Sequence, residues 1–244
     1  MIKGQKMLVI SAHAADYVWR SGGTIAKYIE EGADVQVVVL SFGVRGESNG
    51  LWKKGGYTYD SIKAIRKDET EKAAAALGLP MEKLECWDYV DYNIPITEEL
   101  ENRLIQKIRA VQPDVILTHD KTDILNPDHN KVNDLVWRCS ILSNSDGVLT
   151  EGLATSKQMK IFGFEPHQTE ISQYVPTQFI DITSVYDKKI AAMNCFQGQH
   201  HLIEYYTQRA FMRGNHACRI SGNKNYSYAE SFSGFYPVVA EELV

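Results

Sequence analysis

The sequence predicts an α/β protein built on a three-layer, Rossmann-like, mostly parallel sheet with helices on both faces. Short apolar runs alternate with longer segments of helical spacing along the chain, which is the order that βαβ units produce. Residues 35–42 (VQVVVLSF) are rich in β-branched side chains and lack a helical period, as expected for a strand buried on both faces. A chain of 244 residues can form one core, so we predict a single domain over residues 1–244.

The elements of the N-terminal half follow from apolar runs and from glycines that end helices. Gly32 and Gly78 follow the first two predicted helices, where a left-handed residue commonly ends a helix. The polar, glycine-rich stretch between residues 43 and 59 is predicted to be a loop. Strands are predicted at residues 7–11, 35–42, 84–90 and 114–118, and helices at residues 21–31, 61–77, 97–111 and 132–142.

The C-terminal part of the chain carries weaker patterns. Residues 160–164 predict a fifth strand, residues 179–182 predict a sixth, and a long helix is expected from residue 185 to residue 212. The polar segment 213–231 is predicted to be a loop folded over the domain, with a small extra subdomain as the alternative. Strands and helices that alternate at this spacing favour parallel pairing, with helices covering both sides of the sheet.

Composition excludes several classes of function. The net charge is -5 and both signs are mixed along the chain, so no basic stripe indicates a nucleic-acid partner. No apolar run approaches the ~20 residues that span a bilayer, and the N-terminus lacks a signal core, so we expect a cytoplasmic protein without membrane contact. The 4 cysteines lie far apart, which is typical of reduced thiols. Without a G-x-G-x-x-G motif or a P-loop, no nucleotide cofactor is predicted.

Polar side chains with catalytic or ligand chemistry follow one predicted strand after another. In open parallel sheets the ligand lies outside the carboxyl ends of the strands, so these side chains are expected to meet at one edge. In strand order they are His13 and Asp16, Arg45 and Glu47, Asp88 and Asp91, His119, Asp120 and His129, and finally Glu165 and His167.

The sequence His13-Ala14-Ala15-Asp16 places an imidazole and a carboxylate three residues apart on one face of a turn. His129, after the fourth strand, could supply a third ligand. Two nitrogens and one carboxylate with open positions form the donor set of a catalytic zinc site. The residues alone leave an alternative, in which His13 is a satisfied core histidine and Asp16 is a helix cap.

The run ISAHAADYVWRSGGTIAKYIEEGADVQVVVLSFGVRGES resembles the start of the LmbE-like (PIG-L) family of zinc-dependent N-acetylglucosaminyl deacetylases. Further matches to that family are Arg66 and Glu69 in IRKDE, the segment NPDHN, and the closing AESF at residues 229–232. The resemblance therefore covers nearly the whole chain. It implies the LmbE-like fold and a Zn²⁺ ion held by His13, Asp16 and His129.

Two departures from the deacetylase pattern concern its catalytic groups. Ala15 stands where the family has the aspartate that activates the attacking water, and a methyl group cannot accept a proton. Asn126 stands where the family has the first histidine of H-P-D-H. Loss of a general acid or base typically lowers the rate by roughly 10²–10⁴-fold, so this pattern predicts a poor amide hydrolase.

Residues 11–23, 40–48 and 163–170 resemble a hydratase branch of the same family, the 4-oxalomesaconate hydratases of aromatic-acid (protocatechuate and gallate) catabolism. This resemblance implies a zinc-dependent lyase that adds water to an unsaturated oxo-tricarboxylic acid. Two alternatives stay open. One is a zinc deacetylase acting on an amino sugar or similar amide, in which Glu47 or a loop carboxylate replaces the lost base. The other is a catalytically silent binding protein that keeps the fold.

The resemblance to the hydratase branch also implies roles for individual residues. Glu47 and His167 are predicted to be the acid–base pair, and an imidazole whose pKa lies near neutrality would suit the relay. Arg45, Arg66 and Asn126 are predicted to bind the substrate, with arginine well suited to carboxylates. The expected partner is a small carboxylic acid, and because relatives of this fold commonly assemble, we expect a homo-oligomer.

Overall fold

The computed structural model describes residues 2–237 and 239, and the strands in these residues form one sheet. The strands are Lys6–His13 (β1), Asp34–Ser41 (β2), Leu84–Cys86 (β3), Val115–His119 (β4), Lys160–Phe164 (β5), Gln178–Asp181 (β6) and Ala229–Gly234 (β7). Their order across the sheet is β3-β2-β1-β4-β5-β7-β6. Neighbouring strands from β3 to β5 run parallel, whereas β7 is antiparallel to both β5 and β6.

Helices connect and cover these strands. The α-helices are Asp16–Glu30 (α1), Asn49–Trp52 (α2), Tyr59–Ala76 (α3), Glu98–Val111 (α4), Pro127–Ser143 (α5), Tyr186–Met193 (α6) and Leu202–Ser221 (α7). Short 3₁₀ segments lie at Met81–Lys83, Thr183–Val185 and Gln197–Gln199. Among the described residues, no helix has the length and apolar character needed to cross a membrane.

The sheet separates two buried cores, because successive side chains of a strand point to opposite faces. On β1, Met7 and Val9 belong to one core and Leu8 and Ile10 to the other, and all four are at most 1% exposed. Helices α1, α3, α6 and α7 contribute to the first core, and α4 and α5 to the second. The predicted three-layer α/β architecture with a mostly parallel sheet is therefore confirmed.

The carboxyl ends of the parallel strands lie along one edge of the sheet. His13 at the end of β1 pairs in register with Ser41 at the end of β2. His119 at the end of β4 pairs with Phe164 at the end of β5. Residues that follow these four strands therefore start from the same edge, where a ligand site is expected in such folds.

Two helices begin earlier than the sequence pattern predicts. Helix α1 starts at Asp16 instead of residue 21, directly after β1, so this carboxylate lies in the first turn of the helix. Helix α5 starts at Pro127 instead of residue 132, and Asn126 caps it by accepting the N–H of Asp128 over 3.1 Å. Proline at the first position and asparagine at the N-cap both favour a helix start. His129 consequently lies in the first turn of α5.

The prediction for the C-terminal part was wrong in two respects. The predicted long helix 185–212 is in fact two helices, separated by residues 194–201. Most of segment 213–231, which was predicted to be a loop, lies in a helix or a strand. Helix α7 continues to Ser221, and β7 inserts between β5 and β6. Polar residues of β7 suggested a surface loop, but Glu230 is buried because Lys189 and backbone N–H groups of α1 bind its carboxylate.

Smaller differences concern β3 and the segment before α3. The third strand ends at Cys86 rather than residue 90, and a four-residue helix, α2, forms within the predicted loop 43–59. The C-terminal boundary of the predicted domain, residue 244, lies outside the described residues.

Candidate metal centre and active site

Three donor atoms from β1, α1 and α5 form a nearly equilateral triangle at the carboxyl edge of the sheet. His13 Nδ1 lies 3.2 Å from Asp16 Oδ2 and 3.3 Å from His129 Nε2, and His129 Nε2 lies 3.3 Å from Asp16 Oδ2. All three residues are at most 5% exposed. We call His13, Asp16 and His129 the donor trio.

The size of the donor trio fits a metal ion. Ligands that lie about 2.0–2.1 Å from a tetrahedrally coordinated ion are about 3.3–3.4 Å apart, which is the separation between the three donor atoms. One corner of such a tetrahedron stays open for water or substrate. The residues present can therefore hold a metal ion with a free coordination position.

Carboxylates behind both imidazoles fix their orientation. His13 Nε2 lies 3.2 Å from Asp128 Oδ2, and His129 Nδ1 lies 2.9 Å from Asp123 Oδ2. In metal sites the second ring nitrogen of a ligand histidine usually donates to such a partner, which sets the tautomer. With a metal ion bound, both imidazoles would therefore present an unprotonated nitrogen to the centre of the donor trio. No role was predicted for Asp123 or Asp128 from the sequence, although Asp128 lies within the NPDHN segment and Asp123 lies three residues before it.

The electrostatic field at the donor trio favours a cation. Burial disfavours a charged imidazole, but the Asp128 and Asp16 carboxylates outweigh this effect and raise the pKa of His13 to about 10. Burial also disfavours a charged carboxylate, yet the imidazoles of His129 and His13 hold the pKa of Asp16 well below its usual range. A site that retains a proton so strongly will release it when a metal ion binds.

Arg20 connects the donor trio to the loop after β5. Its side chain is 1% exposed, one nitrogen donates to Asp123 Oδ2 over 3.2 Å, and another donates to the Glu165 carbonyl over 2.9 Å. Its Nε lies 3.8 Å from Asp16 Oδ1. Sequence reasoning missed this residue. The signal was its position four residues after Asp16, which places both side chains on the same face of α1.

Glu47 lies beside the donor trio, with Oε1 3.9 Å from His13 Nδ1. Asn126 Nδ2 and the Tyr92 hydroxyl donate to Oε1 over 3.0 and 3.1 Å, and Gln199 Nε2 donates to Oε2 over 3.1 Å. Three donors from three different segments therefore hold this carboxylate, which stays 16% exposed at the mouth of the site.

Tyr92 also lies against the metal centre and was missed from the sequence. Its ring stacks on His13 with 6.0 Å between ring centroids, and its backbone N–H donates to Asp128 over 2.5 Å. The φ angle of Tyr92 is 59°, in the left-handed region. A Cβ at Gly46 would lie 1.9 Å from the Tyr92 ring, so glycine is required for this close approach. Gln199, the third residue that donates to Glu47, lies between α6 and α7, where the sequence pattern predicted one continuous helix.

His167 lies in the loop after β5, partly buried against two tyrosines of α7. Its Nδ1 is 3.4 Å from the Tyr206 hydroxyl. Burial, followed by the positive charge of Arg20, lowers the pKa of His167 to about 3. Burial and the positive charge of Arg20 therefore argue against the expectation that this imidazole titrates near neutrality.

The residues predicted to bind the substrate lie in different environments. Arg45 has an exposed side chain near Glu47, and Asp91 fixes its backbone N–H over 2.9 Å. Asn126 uses its side chain to bind Glu47 and to cap α5.

Arg66 cannot hold a substrate carboxylate in this structure, which corrects the prediction. Its side chain is fully buried, binds Glu69 over 3.0 Å and donates to the Phe42 carbonyl over 3.0 Å. The guanidinium also lies 4.9 Å from the centre of the Phe196 ring. These contacts make Arg66 part of the packing of α3 against the end of β2.

His119 contacts both β1 and the His129 ring of the donor trio. Its Nε2 accepts the backbone N–H of Ala12 over 3.0 Å, and its ring stacks on His129 with 3.9 Å between centroids. An imidazole that accepts a hydrogen bond through Nε2 does not offer that nitrogen to a metal ion. Ala15, at the start of α1, is buried and brings only a methyl group to the place of the deacetylase base.

Several known proteins are similar to this chain over most of its length. A 4-oxalmesaconate hydratase of Pseudomonas putida is 41% identical over 239 residues, which cover 97% of this chain and 91% of that protein. The crystal structure of GalB, the 4-carboxy-2-hydroxymuconate hydratase from Pseudomonas putida, has a TM-score of 0.93 at 41% identity, covering 98% of this chain and 100% of its own. A diacetylchitobiose deacetylase of Thermococcus kodakarensis is 27% identical over 202 residues, which cover 80% of this chain and 70% of that protein.

The family described as GlcNAc-PI de-N-acetylase (PIG-L) matches residues 8–140, which include His13, Asp16 and His129. This match covers more than half of the chain, and the 41% identical relative extends it to both ends of the fold. The donor trio lies at the position where the sequence resemblance places the metal ligands of that family. The chain belongs to the PIG-L family.

Proposed function

We propose that this protein is a zinc-dependent hydratase that adds water to an unsaturated oxo-tricarboxylic acid, with 4-oxalomesaconate as substrate and 4-carboxy-4-hydroxy-2-oxoadipate as product. One observation carries this proposal. Residue 15, where the family resemblance places the deacetylase base, holds an alanine, while the carboxylate of Glu47 lies 3.9 Å from a donor-trio nitrogen and is held by three hydrogen bonds. The hydratase matches at 41% identity, one by sequence and one by structure, support the same reaction class.

Zinc is the metal that we propose for the donor trio. Two imidazole nitrogens and one carboxylate oxygen form a donor set that zinc prefers, and the separations of 3.2–3.3 Å suit its short bonds. His13, Asp16 and His129 would hold it. When bound, the ion would supply Lewis-acid polarisation of a substrate oxygen.

Glu47 is proposed to be the base, and its side chain is 16% exposed, which allows water to reach it. Glu47 accepts one proton from water while the water oxygen bonds to the electron-poor alkene carbon. The π electrons of that double bond move into the conjugated carbonyl group. The proton on Glu47 then passes to the neighbouring carbon, so that one molecule of water is added and the carboxylate is regenerated.

The neighbours of Glu47 suit this role because they hold its carboxylate from several directions. Asn126 and Tyr92 both donate to Oε1, and Gln199 donates to Oε2. A fixed carboxylate loses less orientational freedom when it reacts, which is one source of catalysis. His167, in the loop after β5, is the second catalytic group that we propose. The exposed side chain of Arg45 is proposed to bind a substrate carboxylate.

A deacetylase remains the second candidate, because Glu47 could activate a water molecule next to the donor trio. Sequence similarity to deacetylases is lower, at 27% identity for the diacetylchitobiose enzyme. The methyl group of Ala15 and the amide of Asn126 also replace the two groups with which the family motif cleaves amides. These substitutions favour the hydratase.

The deciding experiment uses the zinc-loaded full-length chain with two substrates. Incubation with 4-oxalomesaconate should remove the ultraviolet absorbance of the conjugated double bond and give a product heavier by one water. N-acetylglucosamine derivatives should release no acetate above background. Acetate release together with unchanged 4-oxalomesaconate would replace the hydratase with a deacetylase.

We also propose that the chain is one domain and forms a homo-oligomer. Strands from residue 6 to residue 234 share one sheet, which supports a single domain. Trp137 and Ile141, one turn apart on α5, are 48% and 45% exposed, and such an apolar surface suits a contact between copies of the chain. Light scattering coupled to size-exclusion chromatography measures the oligomeric state directly.

A further inference from the structure

The hydroxyl of Tyr206 on α7 lies 3.4 Å from Nδ1 of His167. Tyr206 is 2% exposed, and its ring stacks on Trp19 with 5.3 Å between centroids. In the described part of the chain, Nδ1 of His167 is the hydrogen-bond partner of this phenol. If Nδ1 carried the proton, the buried phenolic hydrogen would have no acceptor there. The arrangement is satisfied when Tyr206 donates and Nδ1 accepts.

Arginine side chains surround the backbone next to this imidazole. Arg20 donates to the carbonyl of Glu165, and Arg209 donates to the carbonyls of Pro166 and His167, over distances of 2.6–2.9 Å. Arg213 binds the Glu165 carboxylate. An imidazolium ion at His167 would add another positive charge to a partly buried cluster of three guanidinium groups.

The other charged groups near His167 do not overcome the effect of the arginines, which disfavour a positively charged imidazole. Asp16 and Asp123 favour a charged imidazole, but they are bound to the imidazole rings of the donor trio, and His129 opposes the charge. Tyr205, which packs against the ring, has a raised pKa because of burial and is neutral. In agreement with these contacts, burial and Arg20 lower the pKa of His167 to about 3.

We propose that Tyr206 holds His167 as a neutral imidazole whose Nε2–H is a fixed hydrogen-bond donor to the substrate. The donor would bind the substrate oxygen on which negative charge develops, and the proton stays on Nε2 throughout. Glu47 then carries the only proton that is transferred. Tyr206 is a positioning residue, since it acts through His167. The identity of the substrate oxygen rests on the proposed function, but the tautomer does not.

Within residues 2–237, Nε2 of His167 has no hydrogen-bond partner. The ring is partly exposed, so a ligand can reach this nitrogen. A neutral imidazole suits such a role, because a preorganised donor stabilises developing negative charge without changing its own protonation state. A relay that gains and loses a proton needs a pKa close to the working pH. The two roles therefore predict different spectra and different tolerance of substitutions.

Nitrogen NMR tests the tautomer without any assay of activity. The full-length, zinc-loaded chain is labelled with ¹⁵N-histidine, and the signals of His167 among the 7 histidines are those lost in His167→Gln. We expect the neutral Nε2–H pattern from about pH 5.5 to pH 8.5. In Tyr206→Phe the same ring should show both neutral tautomers. Titration of His167 within that range, or an Nδ1–H form in the unmodified chain, would overturn the proposal.

Kinetics with three substitutions test the donor role. Glutamine can place an amide N–H near the position of Nε2, whereas asparagine and alanine cannot. We therefore expect His167→Gln to keep kcat within about tenfold of the unmodified chain, and His167→Asn and His167→Ala to lose roughly 10²-fold or more. Zinc content and Tm should be similar in all three. Equal loss in the glutamine and alanine variants would refute the donor role.

The two proposals fail separately. If the unmodified chain does not hydrate 4-oxalomesaconate, the proposed function is wrong, whereas the NMR spectrum still decides the tautomer. If hydration occurs and His167 titrates near neutrality, the hydratase stands and the fixed donor does not.

Discussion

The side-chain amide of Asn126 donates to Glu47 over 3.0 Å, while its oxygen accepts the N–H of Asp128 over 3.1 Å. One side chain thus caps the helix that carries His129 and orients the carboxylate next to the donor trio. The deacetylase motif has a histidine at this position. This chain lacks that histidine, and it also has Ala15 in place of the aspartate that activates water in the deacetylases. Both differences are consistent with the proposal that Glu47 is the base in this protein.

Asn126→Ala should impair both stability and turnover. Loss of an N-cap costs about 1 kcal/mol of unfolding free energy, and loss of a hydrogen bond to a charged group should lower kcat roughly tenfold. Thr97→Ala is the matched control, because Thr97 caps α4 away from the donor trio by accepting the N–H of Leu100 over 3.2 Å. It should lose similar stability with unchanged kcat. If Asn126→Ala behaves like this control, Asn126 does not position Glu47.

Glu47→Gln should lower kcat by roughly 10²-fold or more, because an amide cannot accept the proton from water. Zinc content should not change, since Glu47 is not one of the three ligands that we propose, and its Oε1 lies 3.9 Å from His13 Nδ1. Glu151→Gln removes the same charge from an exposed loop between α5 and β5 and should have no effect. Near-normal kcat in folded, zinc-loaded Glu47→Gln would refute the assignment of the base.

Zinc binding should depend on pH through His13. The pKa of this imidazole in the metal-free protein is raised to about 10, from 6.5 in an unperturbed side chain, so its proton stabilises the metal-free fold fully below pH 6.5. That contribution is lost as pH rises through about 10. Zinc competes with this proton, so affinity should increase up to tenfold per pH unit between these values.

Calorimetry of zinc binding in buffers with different ionisation enthalpies counts the released protons. About one proton should be released per zinc at pH 7.5. His129→Ala should bind no zinc at the same concentrations, while Trp137→Ala, on the outer surface of α5, should bind one per chain. Full zinc content in His129→Ala would remove this residue from the ligand set.

Arg66→Met should reduce stability and leave KM unchanged, which is the opposite of the effect expected for a substrate clamp. The substitution leaves the carboxylate of Glu69 buried without the guanidinium that lies 3.0 Å away. Breaking a buried ion pair costs about 3–5 kcal/mol, and denaturant unfolding measures this loss. The double variant Arg66→Met with Glu69→Met should recover part of it. A raised KM in a fully stable Arg66→Met protein would restore the substrate role.

Two adjacent glycines of α1 should respond differently to alanine. A Cβ at Gly23 would lie 2.6 Å from Ile182, so Gly23→Ala should cost about 1–3 kcal/mol of unfolding free energy. A Cβ at Gly22 would have its nearest neighbour, Leu77, at 3.5 Å, and alanine is the better helix former. Gly22→Ala should therefore be neutral or stabilising. Equal melting temperatures for both variants would contradict the close approach of α1 to Ile182.

Local patterns in the chain were sufficient for the parallel part of the fold and for the donor trio. A β-branched run such as β2 needs only its own periodicity to be identified, and family motifs around His13 and His129 place three ligands without reference to distant residues. Glu47 was predicted in the same way, because its short motif directly follows a strand. In each case the information lies within a few consecutive residues.

Arg66, Glu230, Tyr92 and Gln199 show what required the folded chain. Arg66 and Glu230 are charged residues of the kind that usually lies at the surface. Both are buried because the fold brings partners from other segments to them, namely the Phe42 carbonyl for Arg66 and the Lys189 ammonium group for Glu230. Tyr92 and Gln199 reach Glu47 across 45 and 152 residues of sequence. Burial and hydrogen bonding depend on contacts between segments that are far apart in the chain, and periodicity carries no information about such contacts.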